Sequence, residues 1–482
     1  MSTIDKTSVR KELDNLKSRF NQLSTEGQVS NDLNGLMTSL FALLSLLIAI
    51  FLEKQTKKNN KNSSKPSSHT EKDDTSLSES GTHGQGQSIK HNAALNTRSV
   101  ATIQMSMVSH CGTCGEDLTH KQADSVERRT KIDIVFEKTL LHVDAEIKAC
   151  PTCGAETRGA FPEAMPGKKQ YGTGLKAYIV DLLANQMVAL KPVQTLIQGV
   201  VGELLSPDTL LTYVLRLYET LEDWEAHVTD RLLAMPAIHV DETALGVDKK
   251  NQWIHVTSAG SITLKRLHPK RGMEAIDDIN IIPRYGGVII HDCWASYLAY
   301  DHCNHGLCGS HLLRALVFIA ESNGYAWATR MKKLLQHTAK HVASRKSKKL
   351  GKKGYAKLQK HYRTIITQGD NEIPAIPPKP EGQKGNMAQS DAHNLLAPFK
   401  QYESAVLLFA KHSHVAFTNN RAEQDLRMAK VKQQVSGCFR TAQWAQCHCR
   451  ISSYLHTMAN KGDSSLTAIQ IAFNGQAILR GE

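Results

Sequence analysis

Two short apolar runs that each end in an aspartate constrain this chain more than any other feature. One is Ile238-His239-Val240-Asp241-Glu242-Thr243, and the other is Gly286-Gly287-Val288-Ile289-Ile290-His291-Asp292. A short apolar run bounded by turn signals reads as a buried strand. If the two strands are parallel neighbours ending at one edge, Asp241 and Asp292 meet there. Two carboxylates so close repel in a dry site, and metal ions remove that problem. Successive strand side chains face opposite ways. Asp241 and Glu242 therefore point to different sides, and Asp241 is the one assigned to the site.

A third stretch supplies a third acid. Asn419-Asn420-Arg421-Ala422-Glu423-Gln424-Asp425-Leu426-Arg427 is a polar turn entering a charged helix, with Glu423 in its first turn. Two strand-end aspartates and a helix-borne glutamate suit two divalent metals working on a phosphodiester. Each acid also has a plainer explanation. Asp241 reads equally as a strand-terminating surface acid, and Asp292 as a cap for a helix over Trp294–Tyr300. Asn420-x-x-Glu423 has capping-box spacing, and Asp425 competes with Glu423 from another helix face.

The order of elements around these acids gives the fold expectation. Ala237–Val247, Trp253–Ser258 and Ile262–His268 read as successive strands with short turns. A helix near Glu274–Ile279 follows, then the strand Val288–Ile290, and Cys308–Ile319 reads as a strand running into a helix. Three meandering strands, a helix and a further strand is the ribonuclease-H-like order. Arg330 to Arg363 then carries 13 Lys or Arg and no acid, with Tyr355 and Tyr362 interleaved. As a helical insertion it is suited to tracking a phosphate backbone. A solubilising surface or a disordered arm is the alternative.

Upstream, Cys111-Gly-Thr-Cys114 and Cys150-Pro-Thr-Cys153 are separated by 35 residues. Four thiolates in two tight turns close a tetrahedral structural zinc site with no position for water. Asp133–Val135 and Leu141–Val143 are candidate strands between them. Gly174 to Leu190 has helical spacing. Val193–Val201 followed by Thr209–Leu221 resembles helix-turn-helix, with Ser206 as N-cap and Pro207 at the first helical position. Cys308-x-x-His311 reads either as a metal pair with Cys293, Cys303, His302 or His305, or as a packed cysteine and a histidine contacting phosphate or backbone. Cys438, Cys447, His448 and Cys449 fit no standard spacing and read as buried thiols.

The N-terminal part is of a different kind. Residues 1–30 read as a short charged helix. Leu36 to Leu52 is free of charge, at the short limit for a membrane span. Its leucine spacing also fits an oligomerisation helix. Residues 54–100 are polar and expected to be a flexible linker. The formal net charge of +13 favours a polyanionic partner. With two Cys-x-x-Cys pairs among ten cysteines, zinc is favoured over disulfides.

Several of these motifs together resemble the transposases of insertion-sequence family 66, bacterial enzymes of the DDE class. Asn62-Ser63-Ser64-Lys65-Pro66-Ser67-Ser68 resembles the family's linker signature after its coiled coil. The cysteine module and the helical region opening at Tyr171-Gly172 have counterparts there. His239–Thr243 and His291-Asp292-Cys293-Trp294-Ala295-Ser296-Tyr297 match its first two acid motifs. Leu307–Arg314 resembles its Cys-x-x-His-x-x-Arg segment. Asn419–Arg427 and Ser436-Gly437-Cys438-Phe439-Arg440 match its C-terminal signature. The family usually has Pro and Asp where Ala416 and Thr418 stand, a basic residue at Gln424, and Gly-Ala near Gln443-Trp444.

The resemblance implies a multidomain α/β protein. An N-terminal oligomerisation segment (1–53) and linker (54–100) precede a zinc-binding module (101–165) and a helix-turn-helix-like region (166–235). A ribonuclease-H-like catalytic domain (236–432) follows, with a basic helical insertion at about 320–410, and then a helical tail (433–482). It implies cleavage of insertion-sequence ends and joining of their 3′ hydroxyls to target DNA. Asp241, Asp292 and Glu423 would hold catalytic Mg²⁺ or Mn²⁺, and Cys111, Cys114, Cys150 and Cys153 structural Zn²⁺. Arg421, Arg427 and Lys430 would contact phosphates. The expected partners are the terminal inverted repeats and target DNA, a second copy of the chain and accessory proteins of the element, with no small-molecule substrate. The expected location is the nucleoid in the cytoplasm. A catalytically inactive DNA-binding regulator and a protein anchored to the membrane through 36–52 are the alternatives.

Overall fold

The computed structural model describes residues 6–56, 58–59, 62, 103–132, 137–377 and 387–478. The chain divides into two compact units. One combines Met1–Gly84 with Asp223–Thr457, and the other combines Gln85–Glu222 with Met458–Glu482. The linker expected at 54–100 and the signature at 62–68 lie almost wholly outside the described residues.

The first unit opens with α1 (Lys6–Thr25) and α2 (Asn31–Gln55), the latter capped by Ser30, whose hydroxyl accepts from the Leu33 N–H. α2 is long and apolar enough to cross a membrane, with a mean hydropathy of 2.4 over 18 residues. Its two sides differ. Leu46, Ala49, Leu52 and Glu53 are buried, whereas Leu33, Leu36, Leu40, Leu43, Leu44, Leu47 and Phe51 are exposed. The Glu53 carboxylate accepts from Asn323 Nδ2 at 2.9 Å and from the N–H groups of Asp391 and Ala392 at 2.6 and 3.1 Å.

In the second unit, β1 (Ile147–Ala149) and β2 (Glu156–Arg158) form an antiparallel hairpin around the second cysteine pair. Leu141–Val143 is not a strand, and Asp133–Val135 lies outside the described residues. The helix expected over Gly174–Leu190 is shorter. α3 (Thr173–Val180) runs into a π turn over Asp181–Asn185, closed by the Gln186 N–H donating to the Asp181 carbonyl. The buried Asp181 carboxylate accepts from Asn185 Nδ2. A side chain that bonds locally competes with the helical ladder, and Met187 leaves it at φ 58°. α4 (Leu190–Val201) and α5 (Pro207–Thr220) follow. Ser206 caps α5 and Pro207 opens it, as the sequence predicts. The C-terminal helix Ser465–Phe473 packs on α3 and α5.

The first unit resumes at α6 (Glu222–Leu233) and holds one five-stranded sheet. β3 (Ala237–Val247), β4 (Lys250–Ala259) and β5 (Ile262–His268) form an antiparallel meander. Asp248 and Lys249 both have positive φ, as a two-residue hairpin turn requires. α7 (Met273–Ile279) leads to β6 (Val288–His291), which pairs parallel to β3 on its free side. The four-residue α8 (Ala295–Leu298) and β7 (Asn304–Leu307) complete the order β5-β4-β3-β6-β7. The strand expected at Cys308 in fact ends at Leu307. Its residues Asn-His-Gly-Leu carry no apolar run, so pairing with β6 makes the strand where sequence pattern does not.

Helices cover this sheet. α9 (Gly309–Asn323) starts directly after β7. α10 (Ala326–Ser344), α11 (Lys352–Glu372), α12 (Asp391–Gln401) and α13 (Glu403–Lys411) form the insertion. Trp327, Met331, Leu335, Leu358, Tyr362, Ile365 and Phe399 make its core with the α9 residues Leu316 and Ile319. Tyr362 is fully buried, its hydroxyl donating to the Phe399 carbonyl. It holds helices together and is not part of the exposed basic face. α14 (Asn420–Ser436) and α15 (Ala442–Asn460) pack Ala422, Leu426, Ala429, Ala445 and Cys449 against Leu245, Val247, Ile254 and Val256 of β3 and β4. Residues 442–457 thus belong to the sheet's core rather than to a tail, and α16 is the C-terminal helix named above. Cys447 and Cys449 are buried, but Cys438 is exposed, against the expectation of buried thiols.

Candidate active site

The site forms where β6 ends beside β3, which itself continues past Asp241 to Val247. Their parallel register pairs Ala237 with Val288, Ile238 with Ile289 and His239 with Ile290. Continued by two residues, that offset sets Asp241 level with Asp292. Asp292 does not cap the short helix after it, since Trp294 is the N-cap of α8. Its Oδ1 is buried without a hydrogen-bond partner.

Glu423 comes in from α14. The sequence pattern suggested a capping box, but α14 is not capped that way. Its N-cap is Asn419, which makes no side-chain cap bond. The Asn419 amide works across the fold instead. Nδ2 donates to the Val240 carbonyl at 2.8 Å, and Oδ1 lies 3.0 Å from His239 Nδ1. These bonds fix the start of α14 on the strand that carries Asp241. Glu423 lies one turn on, with Oε1 3.5 Å from His311 Nδ1 and 4.0 Å from Cys308 Sγ.

The electrostatics tie the acids to one region. Asp241 has its proton affinity raised well above the ordinary aspartate range. Burial is the largest cause, and Glu242, Asp292 and Glu423 each add to it. Asp292 is pushed up to about 7, by burial first and Glu242 second, with Arg271 opposing. Burial costs a carboxylate its hydration, and neighbouring negative charge adds to the cost. A site that crowds buried carboxylates and leaves an oxygen unpartnered has the donor chemistry for hard divalent cations.

Asp425 has another task. Ser258 and Thr263 donate to its Oδ2 at 2.6 and 2.8 Å, and Arg421 Nε at 3.1 Å. His456 first, and then these partners, hold its carboxyl well below the ordinary range despite burial. The cations named from sequence divide accordingly. Arg421 serves Asp425 and Thr263, and Lys430 donates to the Ala244 carbonyl at 2.7 Å. Arg427 is exposed.

Two residues of the site escaped sequence reading. Glu242 faces away from α14, yet its side chain is only 1% exposed and bears on both aspartates. It accepts from Tyr297 Oη at 2.6 Å and from Arg271 at 2.7 and 2.8 Å. The Arg271 guanidinium lies over the rings of Trp294 and Trp253, at 4.3 and 5.1 Å from their centroids. An arginine held by stacking and by two nitrogens on one carboxylate oxygen is well fixed. The available signal was the acid next to Asp241, which strand alternation had set aside.

The cysteine pairs adopt the same turn twice. The Gly115 and Gly154 N–H groups donate to the Cys111 and Cys150 carbonyls, with φ of 76° and 72° at the glycines. N–H groups of Cys114 and Thr113 hold the Cys111 thiol down to about 7, and the Cys150 thiol is lowered in the same way. The four thiols are not gathered around one point. Among the described residues, the group of three ligand-type side chains within 4.8 Å of one another is Cys308, His311 and Glu423. The other partners considered for Cys308 go elsewhere. His305 lies 3.0 Å from His291, His302 faces the Ile282 carbonyl and the Cys303 thiol the Tyr285 carbonyl.

Against known proteins, the family model described as transposase IS66 family matches residues 168–447. A search of curated proteins finds no match.

Proposed function

The chain belongs to the transposase IS66 family, and from that premise we propose that it cuts the ends of its insertion sequence and joins them to target DNA at Asp241, Asp292 and Glu423. The observation that carries this reading is the raised proton affinity of Asp241, to which Asp292 and Glu423 both contribute across the β3–β6 edge. The strand order β5-β4-β3-β6-β7, with an antiparallel meander and parallel outer strands, supports a ribonuclease-H-like core.

The three carboxylates would hold two Mg²⁺ or Mn²⁺ ions. Such ions, when bound, lower the pKa of an attacking water or hydroxyl and stabilise the leaving oxygen of an in-line displacement. The protein's own part is placement. β3 and β6 fix the aspartates on a rigid sheet, and Asn419 fixes the helix that carries Glu423. Arg271 keeps the Glu242 charge compensated beside them. Arg427 is the cation of the α14 set that is free to meet a phosphate, and the exposed lysines of α10 and α11 extend a basic surface for DNA. Arg421 and Lys430 act through the fold.

The two cysteine turns, whose four thiols do not converge here, would hold structural zinc only once brought together, and α4 and α5 with that module would read the terminal inverted repeats. The exposed leucines of α2 would pair protomers in the cytoplasm, because two ends must be cut together. Mg²⁺-dependent nicking of a duplex carrying an element end tests the proposal. Wild type nicks it, and Asp241→Ala binds it without nicking. Binding without nicking by wild type would favour the inactive regulator.

A further inference from the structure

Cys308 and His311 have no part in the chemistry proposed above, yet both face Glu423. Cys308 is the N-cap of α9 and His311 lies in its first turn. The segment is held against the entry to α14. The Gly309 N–H donates to the Phe417 carbonyl at 2.8 Å, and a Cβ at Gly309 would overlap the Phe417 ring. The Asn419 N–H donates to Cys308 Sγ at 3.1 Å. His311 is half-buried, with its Nδ1 3.5 Å from Glu423 Oε1. Its Nδ1 has no hydrogen-bond partner.

We infer that Cys308 Sγ, His311 Nδ1 and Glu423 Oε1 form a binding site for one thiophilic divalent cation such as zinc, and that its occupation withdraws Glu423 from the catalytic ions. The geometry fits without rebuilding. Around a tetrahedral zinc, sulfur and oxygen ligands stand about 3.5 Å apart and nitrogen and oxygen about 3.3 Å. Here the separations are 4.0 and 3.5 Å. Sulfur, imidazole and carboxylate are a zinc donor set, whereas magnesium takes oxygen ligands. Three protein ligands leave the fourth position to water. On binding, the Cys308 thiol proton goes to solvent and the sulfur lone pair to the ion. Zinc and magnesium then compete for one glutamate. This consequence rests on the proposed role of Glu423, but binding itself does not.

The test counts metal ions in the full-length protein, with Co²⁺ as a spectroscopic probe beside Zn²⁺. Cys308→Ser and His311→Gln should each hold one ion fewer per chain than wild type, with loss of a thiolate-to-cobalt charge-transfer band. Cys114→Ser should alter the count but leave that component in place. Glu423→Gln, on a partly exposed helix turn, should weaken the same ion about tenfold or more, which covers the case of an unfolded Cys308 variant. Equal metal content in wild type and in the folded variants would overturn the site, leaving Cys308 and His311 as packing neighbours of Glu423. In the nicking assay, Zn²⁺ should inhibit wild type, with Cys308→Ser about tenfold less sensitive. Equal sensitivity would overturn the competition. A wild type that binds the ion but never nicks would refute the catalytic reading alone.

Discussion

Asp241, inside β3, and Asp292, one residue past the end of β6, are brought level by the offset that pairs His239 with Ile290 when it is carried two residues on. Neither has a cation of its own, and Asp292 is pushed up to about 7. A folded-state pKa raised above the unfolded value means that the native protein binds the extra proton. That stabilisation is complete below about pH 4 and lost as pH rises through about 7.

Asp292→Asn removes the group that must lose this proton. Without metal at about pH 8, the variant should exceed wild type in stability by on the order of 1–3 kcal/mol. The difference should vanish towards pH 4. Mg²⁺ should stabilise wild type at pH 8 and leave the variant unchanged. Urea unfolding across pH, with and without Mg²⁺, measures all three.

Arg271→Gln should act in the opposite sense on Asp292. Arg271 lowers the proton affinity of that carboxyl, so its loss raises it. The acid limb of the nicking rate should therefore move to higher pH. Leaving Glu242 buried without its cation should also cost about 3–5 kcal/mol of stability. A pH–rate profile beside a melting curve separates the two effects.

Asp425→Ala and Glu423→Gln make a contrasting pair. Asp425 is buried and holds Arg421, Ser258 and Thr263, and its removal should cost about 3 kcal/mol or more. The metal affinity of the folded fraction should survive. Glu423→Gln should melt within about 0.5 kcal/mol of wild type and lose metal affinity. Mn²⁺ titration with thermal melts shows which acid belongs to which task.

Asn419→Ala removes the amide that joins α14 to β3. The expected loss is about a hundredfold in nicking rate, against roughly 1–2 kcal/mol of stability. Unchanged nicking in a folded Asn419→Ala would show that Glu423 is placed by other contacts.

The sheet was legible in sequence where apolar runs were long. The bounds of β3 and β5 follow from Ala237–Val247 and Ile262–His268, and Ser206-Pro207 announced the start of α5. β7 was not legible, because four residues with one large apolar side chain become a strand only by pairing with β6. Tyr362 misled because a lysine-rich helix hides its apolar face until Phe399 packs on it. Asp241 and Asp292 could be placed together from strand logic. Whether Glu423 or Asp425 faced them could not be read, since adjacent turns of one helix differ only in what packs against them. Glu242 and Arg271 were invisible for a related reason. They meet across a sheet face through Tyr297 and two tryptophans far apart in the chain.

Anomalous diffraction from Mn²⁺-soaked crystals of the full-length protein tests the central claim most directly. The account predicts manganese peaks in inner-sphere contact with the carboxylates of Asp241, Asp292 and Glu423, and no such peaks in Asp241→Ala. Manganese bound elsewhere, with these carboxylates bare in wild type, would contradict it.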